Sequence, residues 1–176
     1  MSTVGEELDA VVIGAGFSGL YMLHRLRTLG LRSRVYETGD GVGGTWYWNR
    51  YPGARCDSES YFYCYSFSEE IMQEWNWTER FPAQDEIQRY LEFAATRLDL
   101  WPDIQLGTRV TAAIYDDDTQ RWRVETSAGD VVSARYVVSA VGAISAANVP
   151  DIPGLDTFQG RWYHTCLLYT SDAADE

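Results

Sequence analysis

Gly14, Gly16 and Gly19 stand in the order Gly14-Ala15-Gly16-Phe17-Ser18-Gly19, directly after the apolar run Leu8-Asp9-Ala10-Val11-Val12-Ile13. That spacing suits the pyrophosphate of a dinucleotide. The first glycine allows a tight turn, the second removes a side chain that would bar backbone from phosphate, and the third lets the following helix lie close on the strand. The N-terminus of that helix then faces the anion. Glu37, eighteen residues beyond Gly19, ends the segment Arg34-Val35-Tyr36-Glu37, close to the roughly 20-residue spacing expected of an acid that accepts hydrogen bonds from ribose hydroxyls. Alone, Glu37 reads equally well as a solvated strand end.

These residues need a βαβ unit to bring them together. Residues 8–13 are almost continuously apolar, as in a central parallel strand covered on both faces. A helix is expected from about Phe17 to Leu29, with Leu20, Leu23, Leu26 and Leu29 on one stripe and Gly30 as its stop. His24 lies in that helix with no second His or Cys at helical spacing, so a surface or flank position is expected rather than a ligand. Further on, Ser68 to Trp77 reads as a short helix capped by Ser68. A stronger helix follows Pro82, burying Ile87, Tyr90, Leu91, Ala94 and Leu98.

Past Ile104 the period becomes two. Arg109–Tyr115, Arg121–Thr126 and Asp130–Ala134 read as strands of a β-meander, about 104–135, inserted in the α/β unit. Asp116, Asp117 and Asp118 form a turn tip; calcium there would need an EF-hand-like glycine and distal glutamate, which are absent. Residues 136–143 read as a buried parallel strand returning to the sheet, with Gly142 and Ala143 at its nucleotide end. The Pro/Gly stretch 149–154 reads as the exit from the domain.

Two further stretches carry chemistry. Residues 39–45, Gly-Asp-Gly-Val-Gly-Gly-Thr, form a second glycine-rich turn where backbone approaches something flat or anionic, although a loop rich in positive φ has the same composition. Aromatic residues then crowd the chain from Trp46 to Tyr65 with Asn49, Arg50, Arg55 and Asp57 among them. Polar groups in such a cluster need partners, and a planar aromatic ligand accounts for both.

The net charge of −12 argues against nucleic acid or an anionic membrane as partner. All fourteen basic residues are arginine. Cys56, Cys64 and Cys166 lack CxxC spacing, so neither a disulfide framework nor a metal site is suggested. A cytoplasmic location is expected, since the first residues lack a signal-peptide pattern and no apolar run has the length of a membrane span.

Several motifs together resemble the Baeyer–Villiger monooxygenases of the flavin-containing monooxygenase superfamily, and look closest to the phenylacetone monooxygenase branch. They are the first glycine turn, Glu37, the run from Gly43 through Trp46-Tyr47-Trp48-Asn49-Arg50-Tyr51-Pro52-Gly53 to Asp57, Tyr63-Cys64-Tyr65-Ser66-Phe67 and Trp75-Asn76-Trp77-Thr78-Glu79-Arg80. Phe158, Gly160 and His164 match the start of the family fingerprint, Phe-x-Gly-x-x-x-His. The resemblance implies a Rossmann-like FAD-binding domain and an enzyme that reduces FAD with NADPH, adds O₂ to give a flavin peroxide, and converts a small-molecule ketone to an ester or lactone. It also implies the site. Gly14, Gly16, Phe17, Ser18 and Gly19 would meet the pyrophosphate, and Glu37 the ribose. Gly44, Thr45, Trp46, Tyr47 and Trp48 would line the isoalloxazine with Cys56, Asp57 and Ser58, and Tyr63 would hydrogen-bond near it. The backbone of Val110 would meet the adenine, and Ala143 would lie against the nucleotide. Arg55 and Asp57 would also lie toward the nicotinamide, with Asp57 positioning the reacting rings. The family's main catalytic arginine has no counterpart in the chain.

The same resemblance sets the expected organisation: a disordered tail over 1–7, the FAD-binding domain over 8–154, and the start of a linker to an NADP-binding domain over 155–165. Beyond His164 the family pattern fails, with Leu168 and Tyr169 at the places of its Trp and following Pro or Asp. Residues 166–176 are expected to be a non-native tail resembling translated sequencing adapter, which makes the chain an N-terminal fragment that binds FAD poorly or not at all, is inactive by itself and is prone to aggregate. Two other readings stay open: a flavin monooxygenase that oxidises nitrogen or sulfur, and a nucleotide-binding module without catalysis.

Overall fold

The computed structural model describes residues 5–164. A six-stranded mixed sheet runs in the order β3 (Ile104–Gln105), β2 (Ser33–Tyr36), β1 (Glu7–Ile13), β6 (Val131–Ser139), β5 (Arg121–Thr126), β4 (Val110–Asp116). Its parallel centre is built by β1 (Glu7–Ile13), the helix α1 (Phe17–Thr28) and β2 (Ser33–Tyr36). The two strands run parallel from Ala10 opposite Ser33 to Ile13 opposite Tyr36, a pairing that requires a crossover, here α1. Three helices follow: the short α2 (Thr45–Trp48) and α3 (Glu69–Glu74) and the long α4 (Gln84–Arg97). The Ser68 side chain caps α3 by accepting from the Ile71 N–H. A two-residue strand β3 (Ile104–Gln105), not foreseen in the sequence, adds to β2 in parallel.

One face of the sheet is covered by helices. Ala10, Val12 and Val35 pack with Leu20 and Leu23 of α1, and Ile87, Leu91 and Ala94 of α4 belong to the same buried cluster. Because strand side chains alternate, Val11 and Tyr36 point the other way and meet Val124, Val132 and Ala134. Leu29, expected on the buried stripe of α1, is instead exposed at its C-cap, where Gly30 takes φ 74° and ends the helix.

The second half of the sheet corrects two expectations. β4 (Val110–Asp116), β5 (Arg121–Thr126) and β6 (Val131–Ser139) form the expected meander, joined to the parallel sheet through β6. The meander's last strand and the returning parallel strand are one element. β6 pairs antiparallel with β5 over Val131–Ala134 and parallel with β1 over Ser133–Ser139. Nor is its return half deeply buried: Tyr136 and Ser139 are exposed. At the β4–β5 turn Asp116 Oδ1 accepts from the backbone N–H groups of Asp118 and Thr119, which holds its carboxyl below the usual range. Among the described residues no group of His, Cys, Asp and Glu could hold a metal ion, and no helix is long and apolar enough to cross a membrane.

Residues 5–7, expected in a disordered tail, join the sheet: Glu7 opens β1, the Gly5 N–H donates to Val131 O, and Glu6 pairs with Arg32 and Arg34. Residues 1–4 and 165–176, including the expected non-native tail, lie outside the described residues.

Candidate functional site

At the C-terminal ends of β1 and β6 a cleft of about 570 Å³ opens between the two glycine turns, Glu37 and the segment after β6. Such an opening beyond the carboxyl ends of parallel strands is where open α/β sheets take ligands. Its floor is the first turn. The Gly14 N–H donates to Tyr36 O at 2.8 Å and the Ala140 N–H to Ile13 O at 2.9 Å, so the turn hangs from both neighbouring strands. Gly14 has φ 102°, and a Cβ there would stand 2.6 Å from Ala140 O. A Cβ on Gly19 would stand 1.8 Å from Gly14 O; only glycine lets α1 come this close.

The second turn lies back to back on the first. The Gly43 N–H donates to Ala15 O at 2.9 Å, and a Cβ on Gly44, φ 56°, would be 2.9 Å from Gly16 Cα. Glu37 ties the two together. Its carboxylate is buried, with Oε2 accepting from the Ala15 N–H at 2.7 Å and Oε1 from the Gly39 N–H at 2.8 Å. A carboxylate oxygen accepts more than one hydrogen bond, so each keeps capacity toward the cleft.

The aromatic wall comes from Phe17, Trp46, Trp48 and Tyr63, all lining the cleft. Trp46 Nε1–H donates to the Tyr63 hydroxyl at 3.0 Å, and Phe17 meets the Tyr63 ring edge-on at 4.9 Å. Burial pushes the Tyr63 hydroxyl pKa up, against the opposing pull of the Trp46 hydrogen bond. Tyr63 therefore stays a neutral donor through ordinary pH.

Of the residues singled out in the sequence, Gly14, Gly16, Phe17, Ser18, Glu37, Gly44, Thr45, Trp46, Trp48, Tyr63 and Val110 converge on this cleft. Others fall outside its lining, each for a visible reason. Tyr47 turns away to fill the space left by Gly39 and Gly41, where added Cβ atoms would meet its ring at 2.6 and 2.8 Å, and its hydroxyl accepts from the Asp40 N–H. Arg55 is held by Glu79 and by Phe81 O, and its backbone bridges to Ala83. Cys56 is buried with its N–H on Pro82 O, and Asp57 and Ser58 are exposed and outside the lining, although Cys56 and Asp57 lie near enough to Tyr63 to help raise its hydroxyl pKa. Ala143 is exposed while Gly142 and Ile144 beside it line the cleft. Gly19 acts from beneath, through its contact with Gly14.

Phe158 and Gly160 are exposed, and His164, its Nε2 3.3 Å from the Asn148 carbonyl oxygen, is outside the cleft lining, next to the segment that ends it at Ala147. His24 is stacked on Phe67 at 4.8 Å, a packing role in keeping with its expected flank position.

Asn49, noted among the polar residues of the aromatic stretch, also lines the cleft, and sequence reasoning passed over Thr38, Arg109 and the run Ser145-Ala146-Ala147, which line it too. Arg109 was legible as the basic residue immediately before Val110. The small residues 145–147 carried no signal, since nothing in their types marks them as a wall.

The profile of the NAD(P)-binding Rossmann-like domain family matches residues 12–76. The chain is 48% identical over 164 residues to a Baeyer–Villiger monooxygenase of Pseudooceanicola batsensis, covering 93% of this chain and 30% of that protein. It is 49% identical over 158 residues to the phenazine N-monooxygenase PhzNO1 of Lysobacter antibioticus, covering 89% and 29%. Among solved structures it superposes on an oxidised steroid monooxygenase bound to NADP with TM-score 0.83 and 55% identity, over 92% of this chain and 31% of that one. It superposes on an OTEMO complex with FAD and NADP with TM-score 0.83 and 44% identity, over 91% and 30%. The chain thus spans about three-tenths of the length of the curated relatives it matches. Over the nine-tenths of its own length that aligns, the chain is a homologue of the Baeyer–Villiger monooxygenases and carries a Rossmann-like nucleotide-binding fold.

Proposed function

We propose that the chain is the FAD-binding portion of an NADPH- and O₂-dependent, cytoplasmic monooxygenase of the Baeyer–Villiger type, which converts a small-molecule ketone to an ester or lactone. The observation that carries this is the convergence of a doubled glycine cradle, a buried carboxylate and a Trp–Tyr wall on one cleft. The residues present fit a flavin dinucleotide. The cradle is one that a Cβ at Gly14 or Gly44 would fill, the cleft has a drug-sized volume, and Glu37 offers acceptor capacity at the ribose position.

In this reading the first turn and the start of α1 bind the pyrophosphate, Glu37 accepts from the ribose hydroxyls, and Arg109 and Val110 close the adenosine end. Trp46, Trp48 and Tyr63 exclude water from the ring system, and Tyr63, hydrogen-bonded by Trp46, holds its own proton where a flavin heteroatom would meet it. FAD, when bound, supplies the redox chemistry between NADPH and O₂; the protein's part is binding, orientation and exclusion of water. The 176 residues alone are expected to turn nothing over.

A second reading, oxidation at nitrogen, is favoured by one observation: the phenazine N-monooxygenase is as similar to this chain as the Baeyer–Villiger enzyme is. Titration of the longer protein that carries this domain with FAD, followed by quenching of flavin fluorescence, tests the cofactor. Quenching supports the reading, and none at millimolar FAD overturns it. Product analysis of the longer protein with a ketone and with an aromatic N-heterocycle separates the two oxidations.

A further inference from the structure

We propose that Gln84 and Gln88 of α4 are positioning residues that set the height of the second glycine turn against the cleft. The two lie one helical turn apart and so share a face. Gln88 Nε2–H donates to Val42 O at 2.7 Å, and Gln84 Nε2–H donates to Trp46 O. Those two carbonyls bracket Gly43, Gly44 and Thr45, which all line the cleft. From the opposite side the same turn is held by Ala15 O and by the close approach of Gly44 to Gly16. The turn is therefore suspended between the first glycine turn and α4, with the two glutamines as its outer ties.

A second observation shows that Gln88 does more than fill space. Its Oε1 is buried with no hydrogen-bond donor, and it stands where a Cβ on Gly43 would lie, 2.1 Å from that position. Buried acceptors without donors are rare and costly. The amide cannot escape by turning over, because Nε2 also donates to Glu92 Oε1 at 2.8 Å. Reversal would set Oε1 against a carbonyl and a carboxylate. The orphaned oxygen is thus accepted in exchange for a fixed donor on Val42 O, and its contact with Gly43 leaves no room for a side chain there. The ties are rigidly mounted, since Ile87, Leu91 and Ala94 of the same helix are fully buried.

The inference concerns the loop itself; its consequence for a ligand rests on the flavin reading above. Gln88→Met removes the donor and the orphaned acceptor together while keeping volume and helix propensity. Amide hydrogen exchange on the full chain is expected to accelerate about fivefold at Gly43, Trp46, Tyr47 and Trp48, the factor that one lost hydrogen bond of average worth produces, with the amides of β4, β5 and β6 unchanged. Gln88→Lys, which restores a donor, should return most of that protection. In the same samples FAD binding should weaken about tenfold in Gln88→Met and further in the Gln84→Met, Gln88→Met pair. Unchanged exchange at the turn, acceleration spread evenly over the sheet, or failure of Gln88→Lys to restore protection would each overturn the proposal. A turn that loosens as described in a chain that takes up no FAD supports the positioning role, and FAD uptake by the longer protein tests the flavin reading separately.

Discussion

The two glycine-rich turns have similar composition and are built on different physics. The first, Gly14 to Gly19, is shaped by backbone: its glycines face Ala140 O and Gly14 O at distances no Cβ tolerates. The second, Gly39 to Gly44, is shaped largely by side chains that lean on it. Tyr47 occupies the room at Gly39 and Gly41, and Gln88 the room at Gly43. Only Gly44 meets backbone, and that backbone is Gly16 of the first turn. One turn has a fixed shape because nothing around it can yield. The other takes its shape from neighbours that can.

The difference is open to test by substitution. Gly19→Ala should have the largest effect, because the obstructing atom is a carbonyl oxygen locked into the sheet; a loss of about 3 kcal/mol or more in urea unfolding is expected. Glu37→Gln comes next. The amide keeps one acceptor oxygen and turns an NH₂ toward the other N–H, so either Ala15 or Gly39 loses its partner, at about 1–3 kcal/mol. Gly39→Ala should cost only about 1–2 kcal/mol, since the obstructing atom is the edge of the half-exposed Tyr47 ring. Combined with Tyr47→Ala that cost should largely vanish, a non-additivity that Gly19→Ala would not share.

The smallest effect belongs to His24, next to the first turn's helix core. Burial, then Arg25 and Arg27, hold its pKa below 6.5 in the folded chain. The unfolded chain therefore takes up the proton first, and stability falls as pH drops through 6.5 and is at its fullest above it. Thermal midpoints on either side of that pH should differ less in His24→Gln than in the parent chain.

The same contrast explains what could be read from the residues beforehand. β1, α1 and β2 with Glu37 were legible because the pattern that marks them is local: Gly19 answers to Gly14 O within the same turn, and the close approach of Gly14 to the distant Ala140 O leaves the same glycine signature. Tyr47 and Arg55 were expected at the cleft and are not in its lining, because their positions depend on partners chosen elsewhere. Tyr47 answers to Gly39 and Gly41, and Arg55 to Glu79 and Phe81. Gln84 and Gln88 were invisible as site residues for the same reason. On an amphipathic helix they read as ordinary polar positions, and their acceptors lie 38 and 46 residues away. The division of residues 130–143 into two strands failed because the change in burial along β6 mimics a break in the chain's path.

That single strand has a mechanical consequence. Val131–Ser139 is stitched by one end to an antiparallel hairpin and by the other to the parallel centre, and its last residues lead into the wall of the cleft. Peeling the hairpin away from its outer edge at β4 would reach the ligand-facing loop by way of this shared ribbon, with no slack linker between to absorb the strain. Fraying should therefore spread inward from that edge as one cooperative event, and whatever fills the cleft should be felt as tension at the far rim of the sheet.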